Sequence, residues 1–286
     1  MIVTEPQLRA DLDSWPANHV SAGWQGPGQE SSTIYGDVAR PFALASLTKP
    51  LFALAILVAV EEGSLSLDHP IDVGPQTGSD RVVRLVTVRQ LLSHASGLAP
   101  VFDGPHTAPE TRRIYSNLGF EVLGTLLEQA TDMTAASYFD EAVCAPLGMK
   151  ATRLEGSPAY AARSTLNDLL AFCGELMNPQ LISPQTLADA LAPQFADLAG
   201  VLPGYGKQTP NSWGLGFEIK GTKAPHWTGP SQSQSTVGHF GQAGTFFWFD
   251  PTTRTSCVVL TDLAFGDWAV SRWSSFNEQL HALLCY

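Results

Sequence analysis

The sequence predicts an α/β chain of the α+β type, in which an antiparallel sheet is flanked by terminal helices and a helical lobe is inserted between its strands. Short β-branched or aromatic runs separated by turns fill the final third, at Trp213 to Ile219, Thr236 to Gly241, Thr245 to Phe249 and Ser256 to Thr261. Two more strand-like stretches, His19 to Trp24 and Ser32 to Ala39, stand near the amino end. Between these groups, from Gly63 to about Pro193, the apolar spacing is mostly helical. The organisation expected is one domain over residues 1–286, with a sheet-containing lobe at about 1–62 and 195–286 and a helical lobe at about 63–194.

Each element has a local reason. Glu5 to Trp15 carries Leu8 and Leu12 at helical spacing. The turn-rich Gln25-Gly26-Pro27-Gly28 joins the first two strands into a hairpin. Pro50 is best tolerated in a first helical turn, so the helix running to Glu62 starts at or just after Ser46. Further helices are expected at Val88 to Ser93, Leu118 to Ala130, Ser137 to Val143, Leu166 to Met177 and Pro184 to Leu191, with Thr165 as a cap. Asp267 to Leu284 closes the chain as a helix that covers the sheet.

Composition narrows the function. The net charge of −11 argues against a nucleic-acid binder, which needs a basic face, and weakens the case for anionic membranes. The apolar run Leu51 to Val60 is too short to span a bilayer. No basic segment followed by an apolar one opens the chain, so a cytoplasmic location is expected. Cys144, Cys173, Cys257 and Cys285 are scattered and read as free thiols, and the seven histidines form no metal-binding pattern. No metal and no cofactor are expected. Asp68, Asp72, Asp80 and Asp103 read as solvated loop acids.

Ser46-Leu47-Thr48-Lys49 places a hydroxyl and an amine three residues apart, on one helix face. Alone, this also fits a polar helix start in which Ser46 caps and Lys49 is solvated. Tyr115-Ser116-Asn117 precedes a helix and His239-Phe240-Gly241 lies in a strand; each alone fits packing or capping equally well.

In this order, Ser-x-x-Lys, Tyr-x-Asn and His-x-Gly make the three-part pattern of the penicillin-recognising serine hydrolases. The chain resembles the branch containing class C β-lactamases, D-aminopeptidases and carboxypeptidases, and β-lactamase-like esterases. Leu91-Leu92-Ser93-His94-Ala95-Ser96-Gly97-Leu98, Pro146-Leu147-Gly148-Met149 and Trp213-Gly214-Leu215-Gly216-Phe217 are similar to that family too. The resemblance spans roughly Pro41 to Thr261 and implies a β-lactamase or penicillin-binding-protein transpeptidase-like fold. It also implies catalysis through an acylated Ser46, with Lys49 and Tyr115 as the proton path. Reference pKa values of about 10.4 for Lys and about 10 for Tyr leave open which of the two is the base. By the family pattern, Asn117 holds Lys49 and meets a substrate carbonyl. The backbone N–H groups of Ser46 and Gln242 receive the oxyanion, and Gly241 permits close approach of the substrate.

His239 stands where β-lactamases of this branch usually carry lysine. Neutral imidazole has no charge to offer a carboxylate, so an esterase on small carboxylic esters with weak β-lactam turnover is expected. The alternatives are a class C-like β-lactamase, a D-Ala peptidase, or a non-catalytic binding or sensor module of this fold. The partner expected is a small ester, amide or β-lactam. There is no Ser-Asp-Asn motif for class A chemistry and no Gly-x-Ser-x-Gly for the α/β-hydrolase route. Tyr205, Trp213, Phe217, Phe240, Phe246 and Trp248 are candidates for an acyl pocket or for core.

Overall fold

A computed structural model of the chain describes residues 3–29, 31–74, 84–102 and 104–285; Asp80 and Asp103 lie outside the described residues. The amino-terminal helix α1 (Glu5–Asp13) opens with a reciprocal cap between Thr4 and Gln7 and buries Leu8 and Leu12. Strands β1 (Val20–Gln25) and β2 (Thr33–Tyr35) form the expected antiparallel hairpin. A short strand β3 (Phe42–Ala43) then leads through one 3₁₀ turn, Ala45–Leu47, into α2 (Thr48–Glu61). Residues Thr48 to Ala59 are all buried, which is why this stretch is apolar on every side.

The middle of the chain supplies α3 (Val88–Leu92), α4 (Asn117–Thr131) and α5 (Ala135–Phe139), the last running on into a π turn at Asp140–Cys144. Two further helices, α6 (Leu166–Met177) and α7 (Pro184–Leu191), keep their sequence-predicted bounds, and the Thr165 hydroxyl accepts from the Asp168 N–H as the expected cap. The helical lobe also holds two small ladders that an all-helical reading leaves out. One pairs β4 (Ile71–Asp72) with β5 (Leu85–Val86). The other sets β6 (Arg153–Leu154) beside β7 (Ala162–Ser164), which in turn pairs with β3.

The last part begins with a hairpin of β8 (Gly200–Leu202) and β9 (Gly206–Gln208), again unforeseen, and continues through β10 (Glu218–Ile219), β11 (Val237–Gly241), β12 (Thr245–Asp250) and β13 (Thr255–Thr261) to α8 (Asp267–Cys285). The main sheet is fully antiparallel in the order β10-β11-β12-β13-β1-β2, so strands from both ends of the chain meet at β13 and β1. Both of its faces are covered. Along β12, Phe246 and Trp248 join the core under α1 and α8, while Phe247 and Phe249 join the core shared with α2 and α6. An antiparallel strand buried on both sides reads as a continuous apolar run, which is the character of Thr245 to Phe249. The Trp248 indole N–H donates to Asn277 Oδ1 at 2.8 Å and pins α8 to the sheet.

All four cysteines are free thiols, and among the described residues no helix is long and apolar enough to cross a membrane. Asp68 is ion-paired with Arg89 at 2.6 Å, and Asp72 accepts from the N–H groups of Gly74 and Arg84, so both acids organise their loops.

Candidate active site

Ser46 sits in the 3₁₀ turn that opens α2, between the main sheet and the helical lobe. Both sides clamp the turn: the Leu44 N–H donates to Ala162 O of β7 at 2.9 Å, and the Thr245 hydroxyl of β12 donates to Leu44 O at 3.0 Å. Thr48 donates to Ala45 O at 2.7 Å and accepts from the Ala162 N–H at 3.0 Å. Ala45, immediately before the serine, is held at φ +47°, a left-handed conformation that costs energy for any residue with a Cβ. This turn also explains Gly241. A Cβ there would stand 2.2 Å from Leu44 O, so the glycine admits the backbone of the serine turn, and it does not line the cavity. That close approach, rather than contact with substrate, is what the structure shows for Gly241.

Tyr115 and Asn117 arrive from the loop before α4, and this loop is fixed by two buried polar side chains. The Ser116 N–H donates to His94 Nδ1 at 3.2 Å, and the Ile114 N–H donates to His94 O at 3.1 Å. Arg113 is buried with no acid partner among the described residues; its guanidinium donates to the backbone carbonyls of Ser93, Asn211, Gln194 and Phe195. Five N–H donors on a planar fork suit this purpose, and a carbonyl cage replaces the missing counter-charge. His94 lies in the Ser93 to Gly97 segment singled out from sequence, but its task, and that of Arg113, was not legible there.

Lys49 is fully buried. Its Nζ is 3.3 Å from Ser46 Oγ, 2.7 Å from Asn117 Oδ1 and 2.8 Å from Ala159 O. Burial lowers its pKa from the ordinary lysine range to about 7. Asn117 Oδ1 and Ala159 O can only accept, so they use two N–H groups, and a neutral amine keeps its lone pair for the Ser46 hydroxyl. Burial, the largest influence, pushes the Tyr115 pKa above the ordinary phenol value, and the nearby Ser46 hydroxyl acts against it. Its ring faces the lysine, with Nζ 4.6 Å from the ring centroid. The group able to take a proton at neutral pH is therefore Lys49, while Tyr115 stays a phenol that can give one.

His239 is neutral, and its tautomer follows from its neighbours. Nδ1 is 2.7 Å from the Phe240 carbonyl oxygen, which can only accept, so the proton is on Nδ1. Nε2 then presents a lone pair toward the Tyr115 hydroxyl at 3.4 Å. Burial lowers the imidazole pKa to about 3, with the nearby Lys49 as the second cause.

Ser46, Tyr115, Asn117, His239 and Gln242 line one cavity of about 200 Å³, together with Leu202, Pro203, Trp213, Glu218 and Phe240. Lys49 lies beneath it, behind Ser46 and Asn117. Gln242 follows the last residue of β11 paired with β12, placing its backbone beside the serine turn. Of the candidate aromatics, Trp213 and Phe240 reach this cavity; Phe217, Phe246 and Trp248 are core, and Tyr205 lines a separate cavity of about 580 Å³. That larger cavity contains none of the site residues predicted from sequence.

Glu218 was missed at the sequence level. It is buried, yet it lines the same cavity as the one charged side chain there among the described residues. Its position comes from the Trp213 to Glu218 turn, which presses against its surroundings through two glycines. A Cβ on Gly216, at φ +87°, would lie 2.2 Å from the Ala53 Cβ of α2, and one on Gly214 would lie 2.1 Å from Ala190 O. Lys223 Nζ at 3.0 Å, His226 Nε2 at 2.9 Å and Trp227 Nε1 at 2.8 Å all donate to the Glu218 carboxylate. These contacts hold it ionised against the cost of burial. The sequence signal was slight: one acid ending an aromatic and glycine-rich run, with a lysine and a histidine within eight residues.

Comparison with known proteins agrees with this geometry. The sequence model of the Beta-lactamase family matches residues 37–274. A β-lactamase (Mb2281c) from Mycobacterium bovis has a solved structure that superposes with a TM-score of 0.90 at 46% identity, covering 98% of this chain and 100% of the other. Esterase EstB of Burkholderia gladioli is 32% identical over 146 residues, covering 38% of this chain and 37% of EstB. The D-alanyl-D-alanine-carboxypeptidase/endopeptidase AmpH of Escherichia coli K12 is 26% identical over 208 residues, 56% of this chain and 54% of AmpH. The chain thus spans about a third to a half of the length of these two relatives. EstCE1, a hydrolase with promiscuous acyltransferase activity, shares the fold at a TM-score of 0.77, 18% identity and 98% coverage of both chains. With the serine turn, the tyrosine loop and the histidine strand converging on one cavity, and a family match across most of its length, the chain belongs to the Beta-lactamase family of β-lactamase-fold serine hydrolases.

Proposed function

We propose that the protein hydrolyses small carboxylic esters through an acyl-Ser46 intermediate. The observation that carries this reading is the state of His239, whose N–H is spent on the Phe240 carbonyl and whose lone pair faces Tyr115. A β-lactam or a D-Ala peptide offers a carboxylate to the third-motif position. Here that position holds neither a charge nor a free donor for it.

The chemistry then follows from the inventory. Lys49, as the neutral amine, takes the Ser46 proton while Oγ attacks the ester carbonyl carbon. The resulting oxyanion is received by the backbone N–H groups of Ser46 and Gln242. Collapse breaks the bond to the alkoxide, which takes a proton through the Tyr115 hydroxyl, and Lys49 restores that proton. Water then attacks the acyl carbon while giving a proton to Lys49. Ser46 leaves as the alkoxide and recovers the proton, releasing the acid. Asn117 holds Lys49 in place through Oδ1 and presents the rest of its amide to the cavity.

A class C-like β-lactamase or a D-Ala peptidase is the second reading, favoured by the name of the Mycobacterium bovis structure and by AmpH. Comparing kcat/KM for p-nitrophenyl butyrate, nitrocefin and a D-Ala-D-Ala peptide separates the two. Ester turnover at least tenfold above the others supports the esterase, and the reverse order supports the second reading.

A further inference from the structure

We infer that Glu218 makes the catalytic cavity select by charge, admitting neutral and cationic acyl esters and excluding substrates that carry a carboxylate in the acyl part. This rests on the ester-cleaving reading of the same site.

Donor counting fixes the charges. Lys223 Nζ donates to Ser212 O at 2.8 Å, Ile219 O at 2.6 Å and Glu218 Oε1 at 3.0 Å. Three oxygens that only accept consume three N–H groups, so Lys223 is an ammonium. His226 Nδ1 receives the Thr228 N–H at 3.2 Å, and the Thr228 hydroxyl, 2.7 Å away, can donate to the same lone pair; the proton is then on Nε2, which donates to Glu218 Oε1 at 2.9 Å, and the ring is neutral. The buried pair is therefore Glu218⁻ with Lys223⁺, and it is oriented. Glu218 lines the catalytic cavity, whereas Lys223 does not: its side chain is fully buried, with Nζ 5.8 Å from the centroid of the Trp213 ring.

A carboxylate offers about four lone-pair positions. Oε1 takes two donors and Oε2 takes only the Trp227 indole, which leaves Oε2 able to receive another. That open position gives the cavity a charged acceptor for its ligand. A substrate ammonium would find Glu218, with the aromatic side chains of Trp213 and Phe240 beside it in the cavity wall, groups that favour a cation. A substrate carboxylate would lose water and find no cation among the described residues that line the cavity, which is costly in a buried site.

The test uses p-nitrophenyl esters whose six-carbon acyl chains end in methyl, trimethylammonium or carboxylate. In the wild type, kcat/KM for the anionic ester is expected at least about tenfold below the cationic one, a factor equivalent to about 1.4 kcal/mol. The double substitution Glu218→Gln with Lys223→Met removes both charges together, so no unpaired charge is left buried. It should bring the cationic to anionic ratio to within about threefold of unity, whereas Lys223→Met alone, which unmasks the carboxylate, should widen it. An equal rate for all three esters in the wild type, or an unchanged ratio in a folded double variant, overturns the proposal. A second arm does not need turnover or the double variant. Calorimetry on Ser46→Ala should give tighter binding of hexyltrimethylammonium than of hexanoate, and the opposite order also overturns it. If no ester is cleaved while this order holds, the ester reading fails and the charge selection stands.

Discussion

Lys49 Nζ lies 3.3 Å from Ser46 Oγ, and its other two partners, Asn117 Oδ1 and Ala159 O, can only accept. The amine is thereby aimed at the serine, and burial brings its pKa to about 7. On this basis kcat/KM for a neutral ester should fall about tenfold per pH unit below about 7 and level off above it. A pH-rate profile from 5.5 to 8.5 checks this. A flat profile would remove Lys49 as the base.

The same lysine is a burden on stability. Its folded pKa is depressed below its unfolded value, so between about 7 and the ordinary lysine range the unfolded chain binds the extra proton. Stability from this group therefore rises with pH across that window, and the burial penalty is largest below it. Relative to Lys49→Met, the wild type should gain about 2.5 kcal/mol between pH 6.5 and 9, since each pH unit crossed inside the window contributes about 1.4 kcal/mol. Thermal denaturation of both proteins at the two pH values measures the difference, and a constant gap would contradict the buried-amine description.

His239 sets the expected preference for esters over β-lactams. His239→Lys replaces a lone pair by an ammonium beside the cavity and should raise the nitrocefin to p-nitrophenyl butyrate ratio of kcat/KM by about tenfold, roughly the worth of one charge-assisted hydrogen bond. An unchanged ratio in folded protein would show that this position does not read the substrate carboxylate.

Gly216 tests the packing that delivers Trp213 and Glu218. Gly216→Ala forces a Cβ to 2.2 Å from Ala53 at φ +87°, and should cost about 2 kcal/mol or more. Gly174→Ala, inside α6 with nothing within 4 Å of the new Cβ, should instead stabilise by about 0.5–1 kcal/mol. Urea denaturation of the pair measures both signs; a neutral Gly216→Ala would show that the turn can move away from α2.

How much of this was written in the sequence depends on length scale. Helices α6 and α7 are periodic and capped, and strands β11 to β13 are continuous buried runs bounded by turns, so their readings hold nearly to the residue. The ladders β3-β7-β6, β4-β5 and β8-β9 use strands of two or three residues, too short to show alternation. The gathering of Ser46, Lys49, Tyr115, Asn117, His239 and Gln242 was legible because their spacing is a family pattern. Glu218, the carbonyl cage of Arg113 and the tautomer of His239 were not, since each depends on neighbours brought together only by folding.

Covalent labelling of Ser46 tests the central claim most directly. Intact-mass and peptide mass spectrometry after brief exposure to p-nitrophenyl butyrate or a fluorophosphonate should show one adduct, on the peptide containing Ser46. Ser46→Ala should lose both the adduct and ester turnover. Folded protein with no adduct on Ser46, or undiminished turnover in Ser46→Ala, would contradict the acyl-serine mechanism.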